Sequence, residues 1–142
     1  MFTKALTMMS ILVASVALAT LSTTAVAGGN NTELKLRADL SGKTLASGKA
    51  KYRERMRDNT LEQRFDIEVE DATPGDQMMV QVNGVTFGTI IINDFGVGEL
   101  QFRTSTFIDD PGDGEPIPTD FPRLQPGDVV TVGPLNGAFA LD

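Results

Sequence analysis

Cysteine, histidine and tryptophan are all missing from this chain, and tyrosine occurs once, at Tyr52. Without cysteine there is no disulfide framework, no thiol nucleophile, no thiolate metal site and no cysteine to carry a lipid. Stability has to come from burial and hydrogen bonding. Without histidine the commonest general base and the commonest transition-metal ligand are gone, which excludes Ser-His-Asp and Cys-His hydrolysis and His-ligated zinc, copper or haem. Oxygen-ligand metals such as calcium are what remain. The shortage of flat aromatic rings also argues against a carbohydrate platform of the stacked-ring kind.

What is present begins with an address. Lys4 precedes an apolar run from Ala5 to Leu21, and small residues then lead to Ala25-Val26-Ala27 before Gly28-Gly29-Asn30. A positive start, an apolar core and small side chains at a cleavage position make the layout of a secretory signal peptide. An uncleaved anchor is the alternative, but the run of 17 residues falls short of the roughly 20 that span hydrocarbon, and Ala-x-Ala favours removal. The expected division is 1-27, a signal peptide, and 28-142, a mature domain without a membrane span. That domain is expected to be secreted, periplasmic or held at the cell envelope. Its 115 residues suffice for one core and are too few for two.

Charge is divided along the chain. Residues 28-64 hold nine Lys or Arg against five Asp or Glu, whereas 65-142 hold two against 14. A basic stripe attracts polyanions, so the first segment is a candidate for binding nucleic acid or an acidic polysaccharide. Internal pairing with the acidic half is the competing reading, and the strand pattern favours it.

Apolar residues recur at period two almost throughout the mature chain. Leu34, Leu36, Ala38 and Leu40 alternate with charges, the signature of a half-buried strand. From Lys49 to Arg57 five cations take the odd positions and Ala50, Tyr52 and Met56 the even ones. From Leu61 to Glu70 the parity inverts, with Leu61, Phe65, Ile67 and Val69 opposed to Glu62, Arg64, Asp66, Glu68 and Glu70. A hairpin follows. A two-residue turn at Asp58-Asn59 pairs Arg55 with Glu62, Lys51 with Asp66, Lys49 with Glu68 and Tyr52 with Phe65, and leaves Arg53 opposite Arg64. A four-residue loop keeps the same facing, so the register stays open at this point. Charges on residues 49-57 would also guard a sheet edge, were that strand peripheral.

Pro74-Gly75 suits the centre of a type II bend, and Asn83-Gly84 is the strongest hairpin signal in the chain, between Met78-Val82 and Val85-Ile92. Gly88 is a candidate bulge, and Ile90-Ile91-Ile92 reads as a strand covered on both faces. Leu100 and Phe102 point inward from the next strand, Glu99, Gln101 and Arg103 outward. Pro134-Leu135-Asn136-Gly137 reads as a turn. The whole is expected to be all-β, a single antiparallel β-sandwich of immunoglobulin-like or Greek-key type with about seven or eight strands.

Residues 106-128 form a long proline-rich, acidic loop, a length often associated with function. Asp109, Asp110, Asp113 and Glu115, joined by Asp120, are the candidate metal ligands, since calcium takes six to eight oxygens from carboxylates and carbonyls. Their spacing does not match an EF-hand, and a solvated acidic loop is the plainer reading. Asp94 with Glu99, or Asp113 with Glu115, could flank a glycosidic bond, although a domain this small has little room for a cleft. Met78 and Met79 point to opposite faces of a strand and cannot readily chelate one copper ion.

The phrases Leu36-Arg37-Ala38-Asp39-Leu40-Ser41-Gly42, Gly48-Lys49-Ala50-Lys51-Tyr52-Arg53, Val80-Gln81-Val82-Asn83-Gly84 and Phe121 to Val130 resemble small secreted bacterial β-sandwich proteins. The resemblance implies export and the same fold, and it carries no catalytic motif. The expectation is an exported non-enzymatic protein that works by surface contact with an extracellular or envelope protein or polymer, not nucleic acid. The alternatives are a calcium- or ligand-binding module using the acidic loop 109-120, and a small carboxylate-dependent hydrolase.

Overall fold

The computed structural model describes residues 32-142, so the segment read as a signal peptide lies outside the described residues. Ten strands run in chain order: β1 (Leu34–Leu40), β2 (Ser47–Arg57), β3 (Thr60–Glu70), β4 (Gln77–Val82), β5 (Val85–Ile91), β6 (Gly98–Arg103), β7 (Glu115–Pro116), β8 (Val129–Val132), β9 (Leu135–Ala138) and β10 (Ala140–Leu141). Six of them form one sheet in the order β10-β1-β2-β3-β6-β7, and four form a second in the order β5-β4-β8-β9. All pairings are antiparallel except β6 with β7. Among the described residues no helix is long and apolar enough to cross a membrane. The expected count of seven or eight falls short because β7 and β10 are two residues each, too brief to show a period.

Turn chemistry sets the registers. Asp58 and Asn59 both take positive φ, 49° and 61°, as do Asn83 and Gly84, at 48° and 82°. These are type I′ turns, whose twist matches that of the strands they join. The two-residue turn at Asp58-Asn59 pairs Tyr52 with Phe65, Arg55 with Glu62 and Arg53 with Arg64. Gly75 has φ 85° and Asp76 N–H donates to the Thr73 carbonyl at 3.1 Å, the type II bend expected at Pro74-Gly75. The β4–β5 register slips at Gly88, leaving Phe87 as an extra residue.

Three expectations are corrected here. The turn near the end is Gly133-Pro134, and Leu135–Ala138 form β9. Ile91 is 66% exposed while Ile90 and Ile92 are buried, so β5 is covered on one face only. The apolar run misled because β5 is the outermost strand of its sheet. Likewise, β2 lies between β1 and β3, so its cations guard no edge.

The core is laid down in transverse rows of facing side chains: Leu36, Tyr52, Phe65 and Phe102 across β1, β2, β3 and β6, then Ala38, Ala50, Ile67 and Leu100. Met78, Val80, Val82, Val130, Val132 and Leu135 answer them from the four-stranded sheet. Phe121 closes the open end, 4.9 Å between ring centroids from Phe65 on one sheet and 4.9 Å from Phe87 on the other. The long loop is therefore partly core, since Phe121 and Leu124 are both buried. At one side the sheets are stitched together. Ser41 and Asn136 exchange backbone hydrogen bonds at 3.1 and 3.0 Å, linking the end of β1 to β9, while β10 pairs with β1.

Candidate functional site

Register turns the alternation of charges on the six-stranded sheet into a patterned outer face. Lys35, Arg53, Arg64 and Arg103 stand side by side across β1, β2, β3 and β6. The next row is Arg37, Lys51, Asp66 and Gln101, and the one beyond is Asp39, Lys49, Glu68 and Glu99. The face is thus dipolar along the strands, cationic at one end and acidic at the other. Like charges directly opposite are destabilising by a fraction of a kcal/mol each, so a row of four needs compensation.

Compensation comes from neighbours within the face. Glu33 reaches Lys35 at 3.1 Å and Arg53 at 3.4 Å, and Asp66 takes Arg64 at 2.8 Å. Glu62 binds Arg55 at 2.6 Å and Arg103 at 3.5 Å, and Arg103 also meets Asp113 at 3.3 Å. Glu62 is 2% exposed, although it lies on the outer parity, because these arginines and the loop behind them cover it. Burial pushes its carboxyl up, but the bonds from Arg55 and Arg103 outweigh burial and hold it below the usual glutamate value. Of the three cross-strand ion pairs expected from the sequence, Arg55 with Glu62 closes. Lys51 and Lys49 make no ion pair within 4.0 Å among the described residues, and Asp66 turns to Arg64 instead. Neutralisation is partial. A depression of about 270 Å³ opens there, lined among others by Lys35, Lys51, Arg53, Arg64 and the carboxylates of Asp66 and Asp142.

A second polar cluster sits on the core parity of β2. Tyr52 Oη donates to Glu54 Oε2 at 2.6 Å, Gln63 Nε2 donates to Tyr52 Oη at 2.9 Å, and Arg123 Nη2 donates to Glu54 Oε1 at 2.5 Å. The Arg123 bonds hold the Glu54 carboxyl below its ordinary value despite burial, whereas burial pushes the Tyr52 hydroxyl well above its own. This cluster latches the loop to the end of the six-stranded sheet.

The acidic loop is organised by its own backbone. Asp113 Oδ2 accepts from the N–H groups of Asp109 and Asp110 at 3.0 and 3.1 Å, which draws the Asp113 pKa down. A 3-10 turn at Pro111–Asp113 and the Arg103 bridge fix it against the sheet. Among the described residues no three acidic side chains converge as metal ligands, so Asp109, Asp110, Asp113, Glu115 and Asp120 do not gather as a set. Asp94 and Glu99 line separate depressions, Asp94 beside Phe95 and Glu99 beside Lys49 and Glu68.

The four-stranded sheet is the opposite of its partner. Not one residue of β4, β5, β8 or β9 is charged. Gln81, Thr86, Thr131 and Asn136 align across its outer face, and Gln81 Nε2 donates to Thr86 Oγ1 at 3.2 Å. Met79, Ile91 and Val129 are exposed among them. No protein-family model matches the chain, and no curated protein matches it. What the coordinates define is a class: an all-β protein of two packed, mainly antiparallel sheets, with one charged and one uncharged outer face.

Proposed function

We propose that this chain is an exported, non-enzymatic β-sandwich of Greek-key type that works by surface contact, as an envelope, matrix or adhesion-type component. The Greek-key reading is supported by β6, which returns beside β3 after the β4–β5 hairpin has been laid in the other sheet. Export rests on the leader-like residues 1-27. Surface contact is favoured over catalysis because the acidic side chains are spread over loops and faces, and the two best-buried ones, Glu54 and Glu62, are tied up by arginines.

The observation that carries the reading is the row Lys35, Arg53, Arg64, Arg103 with unpaired Lys51 beside it. Strands about 4.8 Å apart make this row about 14 Å wide, and the acidic row four residues away lies about 13 Å along the strands. That exceeds the Debye length of about 10 Å at 0.1 M salt. Glu33, Asp66, Glu62 and Asp113 bond to members of the row, so a partner touching this end meets a partly neutralised cationic face with Lys51 beside it, despite the chain's net charge of -7. The partner class is an anionic polymer bearing carboxylate or sulfate groups.

Chromatography of the full chain on immobilised polygalacturonate and on sulfated dextran tests this. Retention at low salt that falls on Lys35→Glu with Lys51→Glu is expected, with the fold unchanged by circular dichroism. A chain that passes both resins at 20 mM salt ends the reading.

A further inference from the structure

The two sheets have four outer strands, and three are guarded. β7 is two residues long and includes Pro116, which has no N–H to offer; β10 is also two residues long. β9 is closed by the backbone bonds between Asn136 and Ser41. β5 is different. It runs seven residues, Val-Thr-Phe-Gly-Thr-Ile-Ile, with neither charge nor proline.

Its free side can be read from its bonded one. Ile92 N–H donates to the Asp76 carbonyl at 2.9 Å, and Gly75 N–H donates to the Ile92 carbonyl at 2.9 Å, so the backbone groups of Ile92 face β4. Successive residues of a strand alternate in this respect, which aims the N–H and C=O of Ile91 and Thr89 away from β4; the Ile91 carbonyl on that side lies close to Gly98 of β6, which leaves Thr89 as the open position. Among the described residues no strand pairs on that side. Folded proteins ordinarily blunt such an edge with lysine, proline or a covering loop.

We infer that β5 is the interface of a homodimer, formed when two copies pair their β5 strands antiparallel about a two-fold axis and join their four-stranded sheets into one of eight strands. This goes beyond the function proposed above and does not depend on it. A second copy is the occupant for three reasons. The edge is uncharged, so two molecules that each carry a net charge of -7 meet where neither presents a like charge. β5 is its own complement in length, whereas β7 and β10 offer two residues each for a head-to-tail contact. An isologous pair also uses both open edges at once and so closes, where a head-to-tail contact would continue into filaments.

Sedimentation equilibrium on the full chain with residues 1-31 in place is the test, supported by amide hydrogen exchange. A dimer with a Kd of about 10 to 100 µM is expected, tightening as salt rises because screening removes the long-range repulsion between acidic molecules. Exchange at Thr89 should slow with increasing protein concentration. Thr89→Pro removes only an outward N–H and Thr89→Lys places like charges near the axis; both should give monomers whose circular dichroism matches the parent. Thr131→Lys, on the same uncharged face but on β8, should stay dimeric. A parent that is monomeric at 1 mM in both low and high salt overturns the inference. So does a dimer that survives both Thr89 changes or is lost in Thr131→Lys, or assembly that proceeds to filaments.

Discussion

The two sheets share a core and a chain but solve opposite problems at their outer faces. The six-stranded sheet carries charge on nearly every outward position of β1, β2, β3 and β6, whereas β4, β5, β8 and β9 carry none. Buried between them, the side chains are alike: leucine, isoleucine, valine, alanine and aromatics. Burial drives the folding of both, at about 25 cal/mol for each Å² of apolar surface removed from water. The outward positions contribute little to that term, since exposed ion pairs are worth at most about 1 kcal/mol each. The difference between the sheets therefore lies in positions that burial does not fix, and the two proposals made above draw on it, one on the charged face and one on the uncharged sheet.

The largest way to break the comparison is to remove what the sheets have in common. Phe121→Ala deletes a ring that touches Tyr52, Phe65 and Phe102 on one sheet and Phe87 on the other. A loss of about 3 to 5 kcal/mol in urea denaturation is expected, with both sheets melting in one transition. Two separate transitions would show that the sheets are independent.

Next comes the seam. A Cβ at Gly137 would press on the Asp39 carbonyl, where β9 meets the end of β1. Gly137→Ala should cost about 1 to 3 kcal/mol through overpacking and expose the Ser41 and Asn136 amides to hydrogen exchange.

Acid sharpens the contrast further. Glu54 and Glu62 have native pKa values below the ordinary 4.5. A carboxylate with a depressed native pKa adds stability that is fully present above its unfolded value and is lost as pH falls through the native one. Stability should be flat from pH 7 to 5 and decline below about pH 4.5. Glu62→Gln should lower stability at pH 7 by about 1 to 2 kcal/mol and flatten the acid limb. Both acids belong to the six-stranded sheet, so the amides of β2 and β3 should lose protection first.

Smaller again is the surface. Lys35→Glu with Lys51→Glu should move stability by no more than about 0.5 kcal/mol while abolishing retention on anionic resin. Smallest of all, 5 mM calcium should shift the melting temperature by less than about 1 °C, because a site without convergent carboxylates has too weak a Kd to add stability.

Much of this was legible from residue order. The β2–β3 hairpin and the facing of its residues followed from the parity inverting across Asp58-Asn59, while its register stayed open between a two- and a four-residue loop; the β4–β5 hairpin followed from Asn83-Gly84. Glu54 shares the core parity of β2 with Tyr52, a signal of a buried carboxylate in need of a partner that went unused. Its partner, Arg123, lies 69 positions away, and nothing local announces it. The transverse cation row was hidden for the same reason, since Lys35 and Arg103 are neighbours only after four strands have been set in register. Ile91 looked buried because period two cannot distinguish an outermost strand with an apolar outer face from a central one. For the acidic stretch 109-120 composition allowed both a ligand site and a solvated loop, and it does not reveal that Asp113 is engaged by neighbouring amides and Arg103.

The stitching of β1 to β9 and β10 has a kinetic corollary. Asp142 N–H donates to the Lys35 carbonyl at 3.1 Å, so the segment after β10 is clamped to β1, far from it in sequence. Contacts that far apart close large loops and form late. The β2–β3 and β4–β5 hairpins close short loops, whereas β1 gains its second neighbour only when β10, about 100 positions further along, folds back onto it.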